Sequence, residues 1–479
     1  MSKILQYDAI TGIFRLDRTM DIYAFRQNAT SVKMERLDDF DPRENYSNEK
    51  VPLPLLRHSF GVSEGEVEDY SKLHNYSDMN DREREIAVCL NSDGSIQNLE
   101  YRGIKLPIGK ESYSHVVGPI HAGIIEPGHF RFYVTGEVIQ KLHIRLGYQK
   151  RGVYSLLKNK KPMQAIPIVE AVATDSCASY STALSEIYEK AFDIKVTDET
   201  KLWRIVFREL ERIAIHIGDM GAVAGDIGFY PLLGLCSTDR GVPLGILETL
   251  TGSRFAKGCI YPGEVKLNRK LEKSDLPLLS DNLKKAEKRL ESQILRALHS
   301  TTFKERLQSC GTISRHQVYK NSFVGMAARC TGVVQDLRLS ENIYNQVGMT
   351  LWLEDYREEL MGDAWSRFFL RYIEFKNSCE FLINILPKLD ISSGTRGRPL
   401  CMKYTECEPG LYYSSVEGWR GPVLIALDLN QDTSIRQAYI RDPSVLNWHA
   451  LELAVRKELI GDFPLNNKSF NLSYVGVDL

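Results

Sequence analysis

Apolar residues recur at helical spacing through the carboxyl-terminal two thirds of the chain. Leu202, Val206, Leu210, Ile213 and Ile217 follow at intervals of four, four, three and four, one continuous stripe on a helix face. Thr197 is placed to cap that helix, and Asp198 and Glu199 suit its positive end. Ser280 is expected to precede a second long helix, with Leu283, Ala286, Leu290, Ile294 and Ala297 on one side. A third carries Trp365, Phe368, Tyr372 and Phe375. Strand-like runs are fewer: 13–16, 86–90, 130–134, 410–415 and 423–429. The expected fold class is α+β, mainly α: a helical bundle with small peripheral β-sheets and no internal repeat.

Residues 1–105 read differently. Asp- and Asn-rich turn material at 39–50 and a charged stretch at 64–85 suggest a small α+β unit, joined near 105–110 (KLPIGK) to a larger domain spanning 106–479.

With 61 Lys+Arg against 62 Asp+Glu, the chain of 479 residues has no basic excess to neutralise phosphates, so no nucleic-acid partner is expected. Its nine cysteines are odd in number and thinly spread, which fits a reducing compartment rather than a disulfide framework. The amino terminus lacks the pattern of a secretory signal. The nearest approach to a membrane span, 218–236, is interrupted by Asp219, Asp226 and five glycines. Dinucleotide and P-loop motifs are absent, as are H-E-x-x-H, G-x-S-x-G and any C-x-x-C pair; the closest cysteines are Cys401 and Cys407.

Seven segments carry a different signal. They are GPIHAGIIEPGHFRF (118–132), GYQKRGVYSLL (147–157), TDSCASYSTALSEIYEKAF (174–192), ELERIAIHIGDMGAVAGDIGFY (209–230), GMAARCTGVVQDLR (325–338), GDAWSRFFLRYIE (362–374) and the stretch 448–479. In order and spacing they resemble the large subunit of membrane-bound, energy-converting [NiFe] hydrogenases, closest to the formate-hydrogenlyase type, and the related 49 kDa quinone-site subunit of respiratory complex I. The resemblance covers about 107–479. Some relatives carry a 30 kDa complex I module at the amino end; its usual signature is absent from 1–105, whose role stays open.

The resemblance implies four metal-binding thiolates in two C-x-x-C pairs. Here those positions fall on Thr174 and Cys177 and, counting from Arg456, Asp462 and Pro464, on Ser473 and Gly476. One thiol of four remains, so a nickel–iron centre is not expected. The quinone-site comparison is altered too. The family's headgroup tyrosine corresponds to Thr174, and its histidine falls near Glu126 or Pro127, with His121 and His129 as neighbouring candidates. Glu126 and Asp226 match acidic residues that handle protons in the two branches, and Arg329 follows the family's G-x-x-x-R pattern. Each has a plainer reading: a turn-forming His121, a turn-capping Glu126, a core His216, a structural ion pair for Arg329, a small buried thiol for Cys177.

The resemblance thus implies a peripheral, cytoplasmic-side subunit of a membrane complex. It would hold no cofactor itself and work beside a small iron–sulfur subunit and antiporter-like membrane subunits. It would face a quinone or another small acceptor, with Glu126 and Asp226 handling protons and His121, His129, Thr174 and Arg329 lining the site. Two alternatives stand: a non-catalytic scaffold or conformational-coupling subunit of an ion-translocating complex, and a [NiFe] hydrogenase subunit.

Overall fold

The computed structural model describes residues 8–37, 86–90, 96–100, 112–121, 125–348, 355–394 and 399–479, with isolated positions at 51, 52, 55 and 58. The charged stretch 64–85 and the expected join at 105–110 lie outside the described residues.

The helices used below are α1 (Val153–Leu157), α2 (Pro162–Glu170), α3 (Cys177–Ala191), α4 (Asp198–Asp226), α5 (Asp275–His299), α6 (Ala364–Ile385), α7 (Ser444–Ala454) and α8 (Phe463–Phe470). The 202–217 stripe becomes α4. Its cap is as expected, the Thr197 hydroxyl accepting the Thr200 amide. Thr197→Ala should cost about 1 kcal/mol, read as a lower midpoint in urea unfolding; an unchanged midpoint would show that tertiary packing alone sets this helix end. The second long helix, α5, begins at Asp275, not after Ser280. Leu276 and Leu279 are buried and carry the stripe back more than a turn, and the Ser280 hydroxyl bonds the Ile383 carbonyl instead of capping.

Sheet is spread over five small antiparallel pieces among the described residues, rather than gathered at one end. β1 (Asp8–Arg15), β2 (Ile22–Asn28) and β3 (Val32–Leu37) form a meander. β4 (Ile86–Leu90) pairs with β5 (Ile96–Glu100). β6 (Ser112–Val117), β7 (His129–Thr135) and β8 (Val138–Arg145) form a second meander, and β9 (Ile260–Tyr261) pairs with β10 (Glu264–Val265). β11 (Gly410–Glu417), β12 (Pro422–Leu429) and β13 (Ile435–Arg441) form a third meander; β12 is buried along its whole length.

The first meander does not stand apart. Phe14, Leu16 and Phe25 pack on Leu424, Ala426 and Tyr439 of the third, and the Ile13 amide donates to the Tyr439 hydroxyl. A larger apolar core joins α4, α5 and α6, with Val206, Leu210, Leu290, Ile294, Phe368 and Phe375 at its centre. A second apolar cluster joins β7 and β8 to α7, and a third joins α2 and α3 to the third meander.

Candidate functional site

Three parts of the chain distant in sequence meet at the start of α3. The first is the Thr174–Cys177 turn, the second the loop before β7, the third the carboxyl-terminal stretch 471–478. Arg151 ties the first and third together, donating to the carbonyls of Ala171 and Val172 and, at 2.9 Å, to that of Val475. Glu126 joins them from the second: its carboxylate lies close to the Tyr474 and Val475 backbone and near Asp175 and Arg420.

Arg420 is delivered to this junction by a tight hairpin. Glu417 pairs with Pro422 across the ladder, and Gly418 and Gly421 exchange backbone hydrogen bonds, leaving Trp419 and Arg420 at the tip. Gly325 packs so closely under this tip that a Cβ there would lie 2.0 Å from the Arg420 carbonyl, at a φ of +58°. Only glycine meets both demands. The Arg420 guanidinium grips Asp175 through two hydrogen bonds (2.9 and 2.7 Å), donates to the Asn471 carbonyl at 2.7 Å and lies over the Trp419 ring. It is 7% exposed. Trp419 donates its indole N–H to the Asp175 carbonyl. Asn471 in turn donates to Asp219, a buried carboxylate also held by Arg371 at 2.7 Å.

The carboxylates here are not ordinary surface groups. Glu126 is exposed as a residue, yet its carboxyl turns toward the chain end. Partial desolvation, and then the nearby Asp175 charge, raise its pKa, while Arg420 and the two amides oppose the rise. Glu211 of α4 supplies the cap that α3 lacks: its two oxygens take the Ala178 amide and the Ser179 hydroxyl, each at 2.8 Å. Burial pushes this carboxyl up to about 8.

Behind the hairpin lies a dense ionic cluster. Glu374 accepts from Arg329 (2.9 Å), Arg212 (3.0 Å) and His216 (2.9 Å). Glu417 accepts from Arg329 at 2.6 Å and from the Leu337 amide. Glu209 collects Arg212, Arg338, Tyr344 and Ser378, and Asp336 pairs with Arg338. All these charged groups are at most 5% exposed. Three arginines face four carboxylates, and burial, with the Asp336 charge, pushes the Glu417 pKa up. That rise suits the surplus negative charge. Burial also lowers the pKa of His216, so its ring adds no compensating charge at neutral pH.

The expected site residues therefore divide. Glu126 and the Thr174–Cys177 turn meet at the junction. Thr174 receives the Lys257 ammonium at 3.4 Å. His121 braces the loop, its Nε2 2.6 Å from the Gly128 carbonyl and its ring edge-on to Phe130. His129, half-buried at the start of β7, has a pKa lowered by desolvation, then by Arg145 and His121. Arg329 lies in the ionic cluster, reaching the junction only through the base of the hairpin. Asp226, matched by the resemblance to a proton-handling acid, stands away from the junction at the exposed end of α4, paired with Lys468. The helix ends there, so the apolar stretch around it no longer encloses it. The acid that α4 brings near Arg420 is Asp219, two turns earlier. Asp175, Glu211, Asp219 and Arg420 were missed. Glu211 and Asp219 stand in the charged run ELERIAIHIGD, which reads as a solvated helix face, and Asp175 and Arg420 carry no local signal.

The four positions matched to metal thiolates do not fit a nickel–iron group. Cys177 is wholly buried, and burial raises its pKa well above an ordinary thiol. The Ser473 hydroxyl already takes the Gly476 amide at 2.9 Å. A Cβ on Gly476 would lie 2.7 Å from an Asp442 oxygen that Tyr180 holds. Among the described residues no group of three His, Cys, Asp or Glu side chains is arranged to hold a metal ion.

The respiratory-chain NADH dehydrogenase, 49 Kd subunit family matches residues 226–478, more than half of the chain. The chain belongs to that family. It is 28% identical to the membrane-bound hydrogenase subunit alpha of Pyrococcus furiosus over 276 residues, 57% of this chain and 64% of that one. Against the carbon monoxide-induced hydrogenase of Rhodospirillum rubrum the identity is 25% over 359 residues, 74% of this chain and 96% of that one. With an NADH-quinone oxidoreductase subunit of Chlorobium chlorochromatii it is 23% over 356 residues, 72% and 87% of the two chains. A chain in the structure of the membrane-bound sulfane sulfur reductase, an archaeal respiratory membrane complex, superposes with a TM-score of 0.69 at 19% identity. The likeness covers 78% of this chain and all of that one, and shows the shared fold. No helix among the described residues is long and apolar enough to cross a membrane.

Proposed function

We propose that this chain is the large, hydrogenase-like subunit of a membrane-associated oxidoreductase related to complex I and the energy-converting hydrogenases. It would lie peripherally on the cytoplasmic side. The observation that carries the reading is the junction of Glu126, Asp175 and Arg420: charged, partly desolvated groups at the place where the family's metal ligands would stand, with three of the four thiolates replaced. A small iron–sulfur subunit covers this junction and delivers electrons, and antiporter-like membrane subunits lie beneath. The acceptor is a quinone or another small molecule. His121 and His129 shape the loop beside it, Thr174 with Lys257 offers polar contacts, and Glu126, which keeps its proton to higher pH than a surface glutamate, passes protons onward. Nickel–iron chemistry plays no part.

Glu126→Gln in the assembled complex should slow turnover and proton translocation about tenfold while partners still co-purify. Unchanged turnover and translocation would defeat the relay. The altered metal and headgroup positions favour one other reading, a scaffold that transmits conformational change. A partner cluster that responds to added quinone supports the redox subunit; co-purified partners with no such response support the scaffold.

A further inference from the structure

A cavity outside the junction lies on the seam between the first and third meanders. Its volume is about 620 Å³, within the range of small-molecule sites. One wall is strand β1, another the end of α1, the third strand β13. The β1 wall belongs to a part of the chain outside the matched 226–478 region.

Three cations reach this cavity, Arg15, Lys158 and Arg436, against one carboxylate, Asp17. Arg436 is fixed, donating to Asn430 and Asp428 at 2.9 Å each. Among the described residues no carboxylate pairs with Arg15 or Lys158. The seam is also held in register. Gln437 accepts the Asp17 amide at 2.8 Å and donates to the Arg15 carbonyl at 2.9 Å, so Arg15 and Arg436 cannot drift apart with the loops. The deeper lining is aromatic: Phe14 stacks on Tyr439 with centroids 5.2 Å apart, and His58 meets Tyr439 edge-on. Burial lowers the His58 pKa to about 4, so the ring is neutral at working pH and leaves the charge balance to the rim.

Two unpaired cations and a third anchored one, converging on a space with an aromatic inner wall, suit a ligand with a multiply charged anionic head and an organic body. A lone carboxylate brings two oxygens to three cations, where a phosphoryl group brings three. A bare inorganic anion would leave most of the volume and the aromatic wall unused. We propose that this seam binds a phosphate-bearing organic molecule, its phosphoryl group at Arg15, Lys158 and Arg436 and its organic part against Phe14 and Tyr439. A soluble nucleotide and a phospholipid headgroup share that chemistry.

The test is calorimetric titration of the purified complex with ADP, inorganic phosphate and phosphatidylglycerol vesicles, with phosphatidylcholine vesicles as the neutral control. Arg15→Gln/Lys158→Gln is compared with the natural chain. Both side chains are exposed and unpaired, so the double variant should unfold at the same temperature, which is checked in parallel. Saturable ADP binding, weakened at least tenfold in the double variant and falling with added salt, supports a nucleotide site. Binding to phosphatidylglycerol vesicles alone, lost in the double variant, supports a headgroup site. Inorganic phosphate binding as tightly as ADP, binding retained by the double variant, or no saturable binding of any probe would each overturn the proposal.

Discussion

Arg329→Ala should destabilise the protein by about 3–5 kcal/mol, the largest loss expected from any single truncation in the ionic cluster. The side chain is 1% exposed and donates to two different carboxylates, Glu374 at 2.9 Å and Glu417 at 2.6 Å. Removing it leaves both acids in place with no route to water. The penalty is therefore the cost of uncompensated buried charge rather than the modest net worth of two ion pairs. The sign of its pH dependence follows. In the natural protein Arg329 and its neighbours hold the Glu374 pKa well below the ordinary value despite burial. The stability this contributes is fully present above the unfolded-state pKa and is lost as pH falls through the folded one. In the variant the same carboxyl becomes easier to protonate, and protonation relieves the buried charge. The difference between natural and variant proteins should be largest near pH 8 and should shrink toward pH 5. Urea unfolding at both pH values checks it. A loss below about 1 kcal/mol at pH 8 would mean that water or movement of the hairpin neutralises the site. Arg329→Met/Glu417→Gln should recover part of the loss, since it removes one orphaned charge along with its partner.

Long-range order was readable where one periodicity governs a segment. The α4 stripe fixes a helix because Val206, Leu210, Ile213 and Ile217 all enter the same core. Strands 86–90 and 423–429 were legible as short apolar runs between turn residues. What the pattern misplaced was the other face of α4. An apolar stripe opposite Arg, Glu and His normally predicts a solvated polar side. Here Arg208, Glu209, Glu211, Arg212, His216 and Asp219 are all buried as well, because distant segments bring partners against them: Glu374 and Arg371 of α6 for Arg212, His216 and Asp219, Arg338 for Glu209, Glu341 for Arg208 and the start of α3 for Glu211. A partner far away in sequence leaves no local trace, so the reading gave weight to Asp226 and passed over Asp219. Arg420 was hidden for the same reason: its segment reads as a turn, and only the ladder registering Glu417 against Pro422 shows where its tip points. Thr174, Cys177, Ser473 and Gly476 were legible through family spacing alone, and the fold does bring the two stretches that hold them together.

Arg420→Ala should lower turnover of the proposed redox subunit on the order of 100-fold while partner subunits still co-purify. This one side chain holds several parts of the junction at once. It grips Asp175 at the start of α3, reaches the Asn471 carbonyl at the head of the terminal stretch, and moderates the rise in the Glu126 pKa. Without it the Thr174–Cys177 turn and the 471–478 segment lose a shared anchor, and Asp175 faces Glu126 with no cation between them. Both effects act on the reacting site, but only the second moves a titration. Removing Arg420 takes away a charge that lowers the Glu126 pKa, so that pKa should rise further, and the limb of the pH–rate profile that reports Glu126 should move to higher pH. A purely structural anchor would lower the rate without moving the limb. Arg420→Lys separates the two contributions. It keeps a positive charge near Glu126 but cannot reproduce two parallel hydrogen bonds to Asp175 together with a third to Asn471. Its pH profile should stay close to that of the natural complex while its rate remains depressed. Turnover within twofold of the natural value in Arg420→Ala, with an unmoved profile, would mean that the junction is not where the chemistry occurs. The scaffold reading would then be the better account of why this fold keeps one thiol of four.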